Sequence, residues 1–560
     1  MTGTALALIA AITVVGIGAF SCVPREGSAN PGAEQRPAVG TTGMVSSAHP
    51  LATEAGLDIL QAGGTAFDAA VAIAAALNVV EPMMSGIGGY GTILVYDASA
   101  GQTRILNSSG RIPAAVDSDV YRPPTPDYLE NRRGAKAVST PGNVNAWEAM
   151  HRQYGTMEWP ELLKPAIAHA DTGFVVSERT ASMIARSFDE FPDHTKRFYG
   201  VNGRPLRAGE RLMQKDLARS LRLIAEGGAR VLHGGELGQA IDAAMREAGG
   251  FLSLQDMIEN EAEWWEPISI DYRGYEVLAA SPPANAFPAL VRLGMMSRFE
   301  PASLGHNTVA YLHRYAEVTK HAFWTRLRYA GDPDIQPPPL DMLLSEEYWE
   351  EQVARIDPDR ATPFEPPTSF SGGDGQTTHF VVADHWGNVV SATQTLGNLF
   401  GSRIMPEGTG IWLNNSLAYC TFEPKGNPMD AHAGRRKLSG DVPVIVMRDG
   451  RPWIALGTPG GHTIGQTVPQ MLMNMIDFGM NIHEALAAGR ISFIEPDVIA
   501  VERRIPAEVH DALRALGHSV RAVSSLGNAH GLTIEYDDGG VPVRFTGAAD
   551  PRGGGLAKGY

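Results

Sequence analysis

The sequence predicts an α+β fold. Two observations carry this. Alternating apolar stretches come in pairs around turn residues in the second half, and both halves hold runs with helical apolar spacing. Thr53 to Gln61 and Asp68 to Val79 have the helical spacing, and the alanine-rich run Ala69 to Ala76 implies close helix packing. Ile93 to Tyr96 reads as a strand. Residues 140 to 250 read as mainly helical, with caps and short loops. Tyr275 to Ala280 reads as a strand. Phe380 to Val382 and Val389 to Thr395 flank the turn Asp384-His385-Trp386-Gly387-Asn388, which predicts a hairpin. Val442 to Met447 and Trp453 to Leu456 predict a second one around Arg448-Asp449-Gly450. Ile482 to Ala488 and Val509 to Leu516 read as helices.

The chain has 560 residues, which as a soft prior allows three or four domains. No central linker, repeat or low-complexity tract divides it. Charged residues make up 19% and hydrophobic ones 44%, which suits one large packed globule. Net charge is −16, from 46 basic and 62 acidic residues, with no basic cluster. That argues against a nucleic-acid partner; the acidity reads as a solubility feature. Only Cys22 and Cys420 occur, so no disulfide framework is expected, and Cys420 reads as a buried small hydrophobe. Ala5 to Phe20 is apolar and the first charged residue is Arg25, as in an export signal. The run is too short for a confident membrane span. Ser21-Cys22 offers a lipid attachment point at Cys22, with Val23 to Val39 as a tether. This predicts a periplasmic or extracytoplasmic protein. No basic residue precedes the run, so an N-terminal extension without a targeting role, on a cytoplasmic protein, is the alternative.

The segment Gly375-Gln376-Thr377-Thr378-His379-Phe380 carries the most chemistry. A glycine-containing stretch, Ser369 to Gly375, precedes it and a strand pattern follows. A threonine opening a strand after a loose loop can attack the carbonyl before it and shift the chain from amide to ester. Water then splits the chain and leaves the threonine with a free α-amine, which serves as general base for its own hydroxyl. Thr377 is the candidate and Thr378 the competing register; two ordinary strand threonines are the plain alternative. Ser85-Gly86-Ile87-Gly88-Gly89-Tyr90-Gly91 is no nucleotide loop, since neither the strand–GxGxxG–helix order nor a following Lys-Ser or Lys-Thr is present. It reads as a loop packed close to a substrate cleft. There is no GxSxG, no HExxH and no Cys/His cluster with zinc spacing, so no metal or cofactor is implied. His379 reads as a structural strand residue.

The run Thr377 to Ser402, with Leu413-Asn414-Asn415, Arg436-Lys437-Leu438-Ser439, Gly457-Thr458-Pro459-Gly460-Gly461 and Ala549-Asp550-Pro551-Arg552, resembles the small subunit of the γ-glutamyltranspeptidases. Gly63 to Ala72, Val138 to Gly142 and Asp271 to Tyr275 resemble the large subunit. The resemblance spans about residue 40 to 560. It implies a four-layer αββα sandwich of the N-terminal-nucleophile hydrolases. It also implies self-cleavage between Gln376 and Thr377, giving a large subunit of residues 40–376 and a small one of 377–560, with residues 1–39 outside both. By the same resemblance Thr395 hydrogen-bonds the nucleophile, and Gly460-Gly461 form the oxyanion hole, where glycine lets backbone N–H groups come close.

Several positions that grip the glutamyl group depart from the family pattern. The expected arginine falls near Ser109, with Arg111 the nearest candidate. An asparagine is expected at Gly397 and an aspartate at Tyr419, and two serines become Ser439 and Gly440. Arg111, Tyr419, Ser439 and Gly440 are therefore the candidate substrate-binding residues. The segment from Tyr419 to Ser439 is short beside members with a long lid. The reaction implied is amide hydrolysis or acyl transfer through a threonyl ester, on a small γ-glutamyl or related amide, with water or an amine as acceptor. A glutaryl- or oxamate-type amidase is the alternative within the family, and a non-catalytic exported binding protein the alternative outside it.

Overall fold

The computed structural model describes residues 36–122, 130–284, 286–367 and 375–560. The apolar run Ala5 to Phe20 and Cys22 lie outside these. Among the described residues no helix is long and apolar enough to cross a membrane.

Two seven-stranded antiparallel sheets form the centre. Their strands, in chain order, are β1 (Ala38–Gly40), β2 (Met44–Ser47), β3 (Tyr90–Asp97), β4 (Gln102–Ser108), β5 (Glu263–Trp265), β6 (Ile268–Tyr272), β7 (Tyr275–Ala279), β8 (Gln376–Ala383), β9 (Val389–Gly397), β10 (Val444–Arg448), β11 (Arg451–Gly457), β12 (His530–Tyr536), β13 (Pro542–Ala549) and β14 (Leu556–Gly559). One sheet runs β1-β13-β12-β11-β10-β7-β6 and the other β14-β2-β8-β9-β3-β4-β5. Strands β2, β8 and β9 face β11, β12 and β13 across the interface. Strands from before and after residue 377 are neighbours in both sheets.

Helices cover the two outer faces. On the second sheet lie α1 (Pro50–Gln61) and α2 (Ala66–Val80), backed by α3 (Asn143–Tyr154) and α4 (Trp159–Thr172). On the first lie α5 (Phe287–Ser297), α6 (Val309–Tyr329), α7 (Ile464–Ile476) and α8 (Ile482–Ala487). The result is the expected αββα sandwich. Helix α2 shows why the sequence folds this way. Thr65 and Asp68 form a reciprocal capping box at its start. All fifteen of its residues are buried, and its alanines let it lie close against α1, where Gly56 leaves no room for a Cβ beside Ile73.

Strand alternation divides the core in two. Phe380 and Val382 point out of the second sheet into the α1–α4 layer, while Val381 and Ala383 point inward at the first sheet. Both predicted hairpins form, as β8–β9 and β10–β11, with ends within two residues of those expected except that β8 starts four residues earlier, at Gln376. The long helix α6 is not legible from periodicity. Fourteen of its twenty-one residues are buried, among them Glu317, Lys320 and Arg326, so no clean polar face marks it.

A buried ion cluster pins the C-terminal strands. Arg490 Nη2 meets Asp550 Oδ2 at 2.7 Å with both side chains fully buried, and Arg552 Nη1 meets Asp550 Oδ1 at 3.0 Å. Burial opposes the Asp550 charge, but Arg490, Arg552 and two backbone N–H donors outweigh it and hold the carboxyl below its usual range. Asp550→Ala leaves Arg490 buried without its carboxylate and is expected to cost about 3–5 kcal/mol by urea unfolding. The folded-state pKa is depressed, so this contribution is complete above the unfolded value of about 3.9 and fades as pH falls through the folded one. The gap between variant and wild type therefore narrows below about pH 4.

Candidate active site

The site is set by the register of β8 on β9. Thr377 lies opposite Thr395 and Gln376 opposite Gly397, so Leu396 is an extra residue on β9. The bulge is held from outside: Leu396 N–H donates to Met84 O at 3.0 Å, and its carbonyl accepts from Asn415 N at 2.9 Å. It falls at the Gln376–Thr377 peptide. Thr377 Oγ1 donates to Thr395 Oγ1 at 3.4 Å, and Thr395 Oγ1 donates to the Gln376 carbonyl at 2.6 Å. Gly397 N–H donates to Thr395 Oγ1 at 2.8 Å and fixes its lone pair. A hydroxyl is thus linked through one neighbour to the carbonyl it would attack.

Thr378 faces the other way. Its hydroxyl donates to Glu81 Oε2 at 2.8 Å, at the end of α2. Burial raises the Glu81 pKa, and this bond partly offsets that. His379 is again on the inner face, but Nδ1 shares a 2.8 Å hydrogen bond with Thr393 Oγ1 and its ring lies where Gly457 would carry a Cβ. Burial pushes its pKa well below the usual value, so it stays neutral.

The Gly460-Gly461 turn follows β11, just ahead of α7, with φ of +137° and +56°. Both values lie where glycine is favoured. Gly461 packs backbone to backbone on Gly375: a Cβ on Gly461 would stand 2.9 Å from Gly375 Cα, and one on Gly375 would stand 2.6 Å from Gly461 Cα. The residue two before Thr377 therefore rests on the glycine turn. Tyr419 completes this corner, with its hydroxyl 2.2 Å from where a Gly375 Cβ would be and its ring edge-on to His462 at 5.2 Å. A Cβ on Gly440 would contact Tyr419 Cε1 at 3.5 Å and the Gly461 carbonyl at 3.3 Å. Burial, then Asp441, push the Tyr419 pKa up, so its hydroxyl stays protonated. The loop from Gly86 to Gly91 packs here as well, since Gly89 leaves no space for a Cβ beside the Thr395 carbonyl.

The structure thus brings Thr377, Thr395, Gly461, Tyr419 and Gly440 together, with Gln376 and Gly460 adjoining. Ser439 is next in line: its N–H donates to Pro283 O at 3.0 Å and its hydroxyl lies beside Asp441. Arg111 is not joined to them by any contact among the described residues. Its guanidinium donates to Glu263 Oε1 at 2.9 Å and to Gly434 O at 3.3 Å. Gly397 has φ +99°, where only glycine is at ease, and a side chain there would have to displace the Asn415 amide.

One His/Glu group among the described residues has metal-like geometry: His313, Glu317 and His518, with ligand atoms within 4.8 Å of one another. His313 Nδ1 and His518 Nε2 share a 2.8 Å hydrogen bond, and the Lys320 ammonium sits 3.1 Å from Glu317 Oε1. That cation already supplies the positive charge, and the group needs no ion.

The γ-glutamyltranspeptidase family model matches residues 52–560. The chain belongs to the γ-glutamyltranspeptidase family. It is 33% identical to the glutathione hydrolase proenzyme of Bacillus subtilis (strain 168), over 93% of this chain and 92% of that one. It is 35% identical to the acylase ACY 1 proenzyme of Pseudomonas sp. (strain V22), over 94% and 96%. The crystal structure of a cephalosporin acylase from Bacillus halodurans superposes with a TM-score of 0.87 at 30% identity, over 96% of this chain and 99% of that one. This γ-glutamyltranspeptidase-family protein is accordingly an amidohydrolase with the N-terminal-nucleophile hydrolase fold.

Sequence reasoning missed three buried groups of this γ-glutamyltranspeptidase-family site: Tyr90, Lys437 and Asp441. Lys437 lies in the Arg436-Lys437-Leu438-Ser439 run, but nothing in the sequence marks it as buried.

The hydroxyl chain makes a specific demand on Thr395. Removing its donor with Thr395→Val deprives the Gln376 carbonyl of the partner that would hold its oxyanion. Cleavage before Thr377 is then expected to slow by on the order of 10²-fold. Thr395→Ser should retain most of the rate. A gel time course of the fresh precursor checks both.

Proposed function

We propose that the chain is a self-processing threonine amidohydrolase or acyltransferase that cuts itself between Gln376 and Thr377. The observation that carries this is the run of contacts from Thr377 Oγ1 to Thr395 Oγ1 at 3.4 Å and on to the Gln376 carbonyl at 2.6 Å. In the first step Thr377 Oγ bonds to the Gln376 carbonyl carbon, and the Thr395 hydroxyl holds the oxyanion. The C–N bond breaks, its nitrogen takes a proton, and an ester remains. Water hydrolyses the ester and frees the Thr377 α-amine and hydroxyl, leaving Gln376 as a carboxylate. In turnover the amine takes the hydroxyl proton while Oγ attacks a substrate acyl carbonyl. Backbone N–H groups of Gly460 and Gly461, at the N-terminal end of α7, stabilise the oxyanion. The leaving amine takes the proton, and water or an amine acceptor then releases the acyl group from Thr377.

The acyl group we propose is γ-glutamyl or a close relative. A second reading, a glutaryl- or oxamate-type amidase, is supported by Tyr419 where an aspartate would meet a substrate ammonium, and by the filled space at Gly397. The acylase relatives lend it weight. Arg111 we leave out of the grip, because Glu263 already holds it; Arg111→Ala is expected to leave KM unchanged in steady-state kinetics.

Intact mass and gels of wild type beside Thr377→Ala test the reading. Wild type is expected as two fragments, the smaller beginning at Thr377, and the variant as one uncut chain. A wild type that stays whole under every maturation condition would overturn it. A screen of γ-glutamyl, glutaryl and oxamyl amides then separates the two acyl readings.

A further inference from the structure

The row of residues that begins at Thr377 continues past Thr395 to Tyr90, directly opposite on β3. Directly opposite residues share a face, and neighbouring strands lie about 4.8 Å apart, so Tyr90 stands roughly 9.5 Å along the inner face from Thr377. The next row holds His379, Thr393 and Thr92. The segment leading into β10 crosses these two rows. Lys437 Nζ lies 3.3 Å from the centre of the Tyr90 ring, and Asp441 Oδ2 accepts from Thr92 Oγ1 at 3.3 Å. Between them Gly440 touches the Tyr419–Gly461 corner. Lys437 and Asp441 therefore lie against the same inner face as Thr377, over the two rows that start at Thr377 and His379.

These groups are under-satisfied. Lys437 and Asp441 are each 1% exposed. The Lys437 ammonium has the Tyr90 ring and a 3.5 Å contact to Leu438 O, but no carboxylate within 4 Å among the described residues. The buried Tyr90 hydroxyl has no hydrogen-bond partner among the described residues. A sunken ammonium held only by a ring face and one distant carbonyl is costly, and an incoming anion would offset that cost. Burial pushes both Lys437 and Asp441 toward their neutral forms, and each opposes the other's neutralisation.

We propose that Lys437 is a specificity-determining residue that binds a carboxylate at the end of the acyl group remote from the scissile amide, with the Tyr90 hydroxyl as a second donor. This rests on Thr377 as the nucleophile. The span fits. A five-carbon acyl chain has four C–C bonds of about 1.5 Å, and the lysine side chain covers the remainder of the two-strand distance. Asp441 stands where it would meet an ammonium on the same acyl group, so its role separates γ-glutamyl from glutaryl.

The test uses mature, two-chain enzyme and three p-nitroanilides: γ-glutamyl, glutaryl and pentanoyl. Lys437→Met is expected to lower kcat/KM for the two carboxylate-bearing substrates by on the order of 10²-fold, chiefly through KM, and to leave or raise that for pentanoyl. Lys437→Arg should restore part of the loss. The double variant Lys437→Met/Asp441→Asn leaves no lone buried charge, and it guards against a misfolded single variant; it should show the same loss of preference. Equal effects on all three substrates, or a mature wild type that prefers pentanoyl, would overturn the proposal. Failure of the nucleophile assignment looks different: wild type that never becomes two chains. Asp441→Asn that weakens γ-glutamyl but not glutaryl would place the ammonium at Asp441, with Lys437 still binding the carboxylate.

Discussion

The site depends first on one register, that of Gln376–Ala383 against Val389–Gly397. A shift of one residue would turn Thr377 toward α2 and present Thr378 to the inner face. Two features hold the register. Alternation commits Val381 and Ala383 to the inter-sheet core and Phe380 and Val382 to the helix layer. The bulge at Leu396 then resets the pairing by one residue where Gln376 meets Thr377, anchored by Met84 and Asn415. Without the bulge, Leu396 rather than Gly397 would face Gln376. With it, Gly397 stands there, and its N–H meets the Thr395 hydroxyl that donates to the Gln376 carbonyl.

The second constraint is proximity of backbones. Gly375 and Gly461 approach so closely that a Cβ on either would collide with the other's main chain. The glycine pattern of the sequence is thus explained from both sides of the contact: one glycine belongs to the segment before Thr377, the other to the turn before α7. The same contact places the segment before Thr377 on the turn proposed to stabilise the substrate oxyanion in turnover.

Much of this was legible because it rests on local pattern. Alternation marked both hairpins, and the GQTTHF and PGG motifs marked the two segments whose backbones meet at Gly375 and Gly461. The polar wall was not legible, because burial of a charge is a property of tertiary packing. Lys437 in an Arg-Lys-Leu-Ser run reads like a solvated residue, yet it lies under Tyr90. Helix α6 escaped for the same reason, with charged residues on faces that turn inward. Arg111 shows the converse. The resemblance made it the nearest candidate for a substrate arginine; its guanidinium pairs with Glu263, brought up by β5 from far along the chain, a partner that local pattern does not show.

The surroundings of Thr377 also bear on which group can act as base. His379 is neutral, hydrogen-bonded to Thr393 and one pleat further along. Burial likewise lowers the His462 pKa far below its usual value, so it too is neutral, and its ring stands edge-on to Tyr419. Tyr419 keeps its proton because burial and Asp441 raise its pKa. Thr395 is a hydroxyl whose own proton is given to the Gln376 carbonyl. None of these is both close to Thr377 Oγ1 and ready to accept a proton near neutral pH. An α-amine, with an ordinary pKa of about 7.7–8.0, is suited to that work, and burial among uncharged groups lowers it further toward neutrality. On the proposed reading that amine exists only after the Gln376–Thr377 bond is cut. The protein would then lack a competent base until it has processed itself, and the uncut chain, with Gly375 lying on Gly461, would be inactive for both chemical and steric reasons.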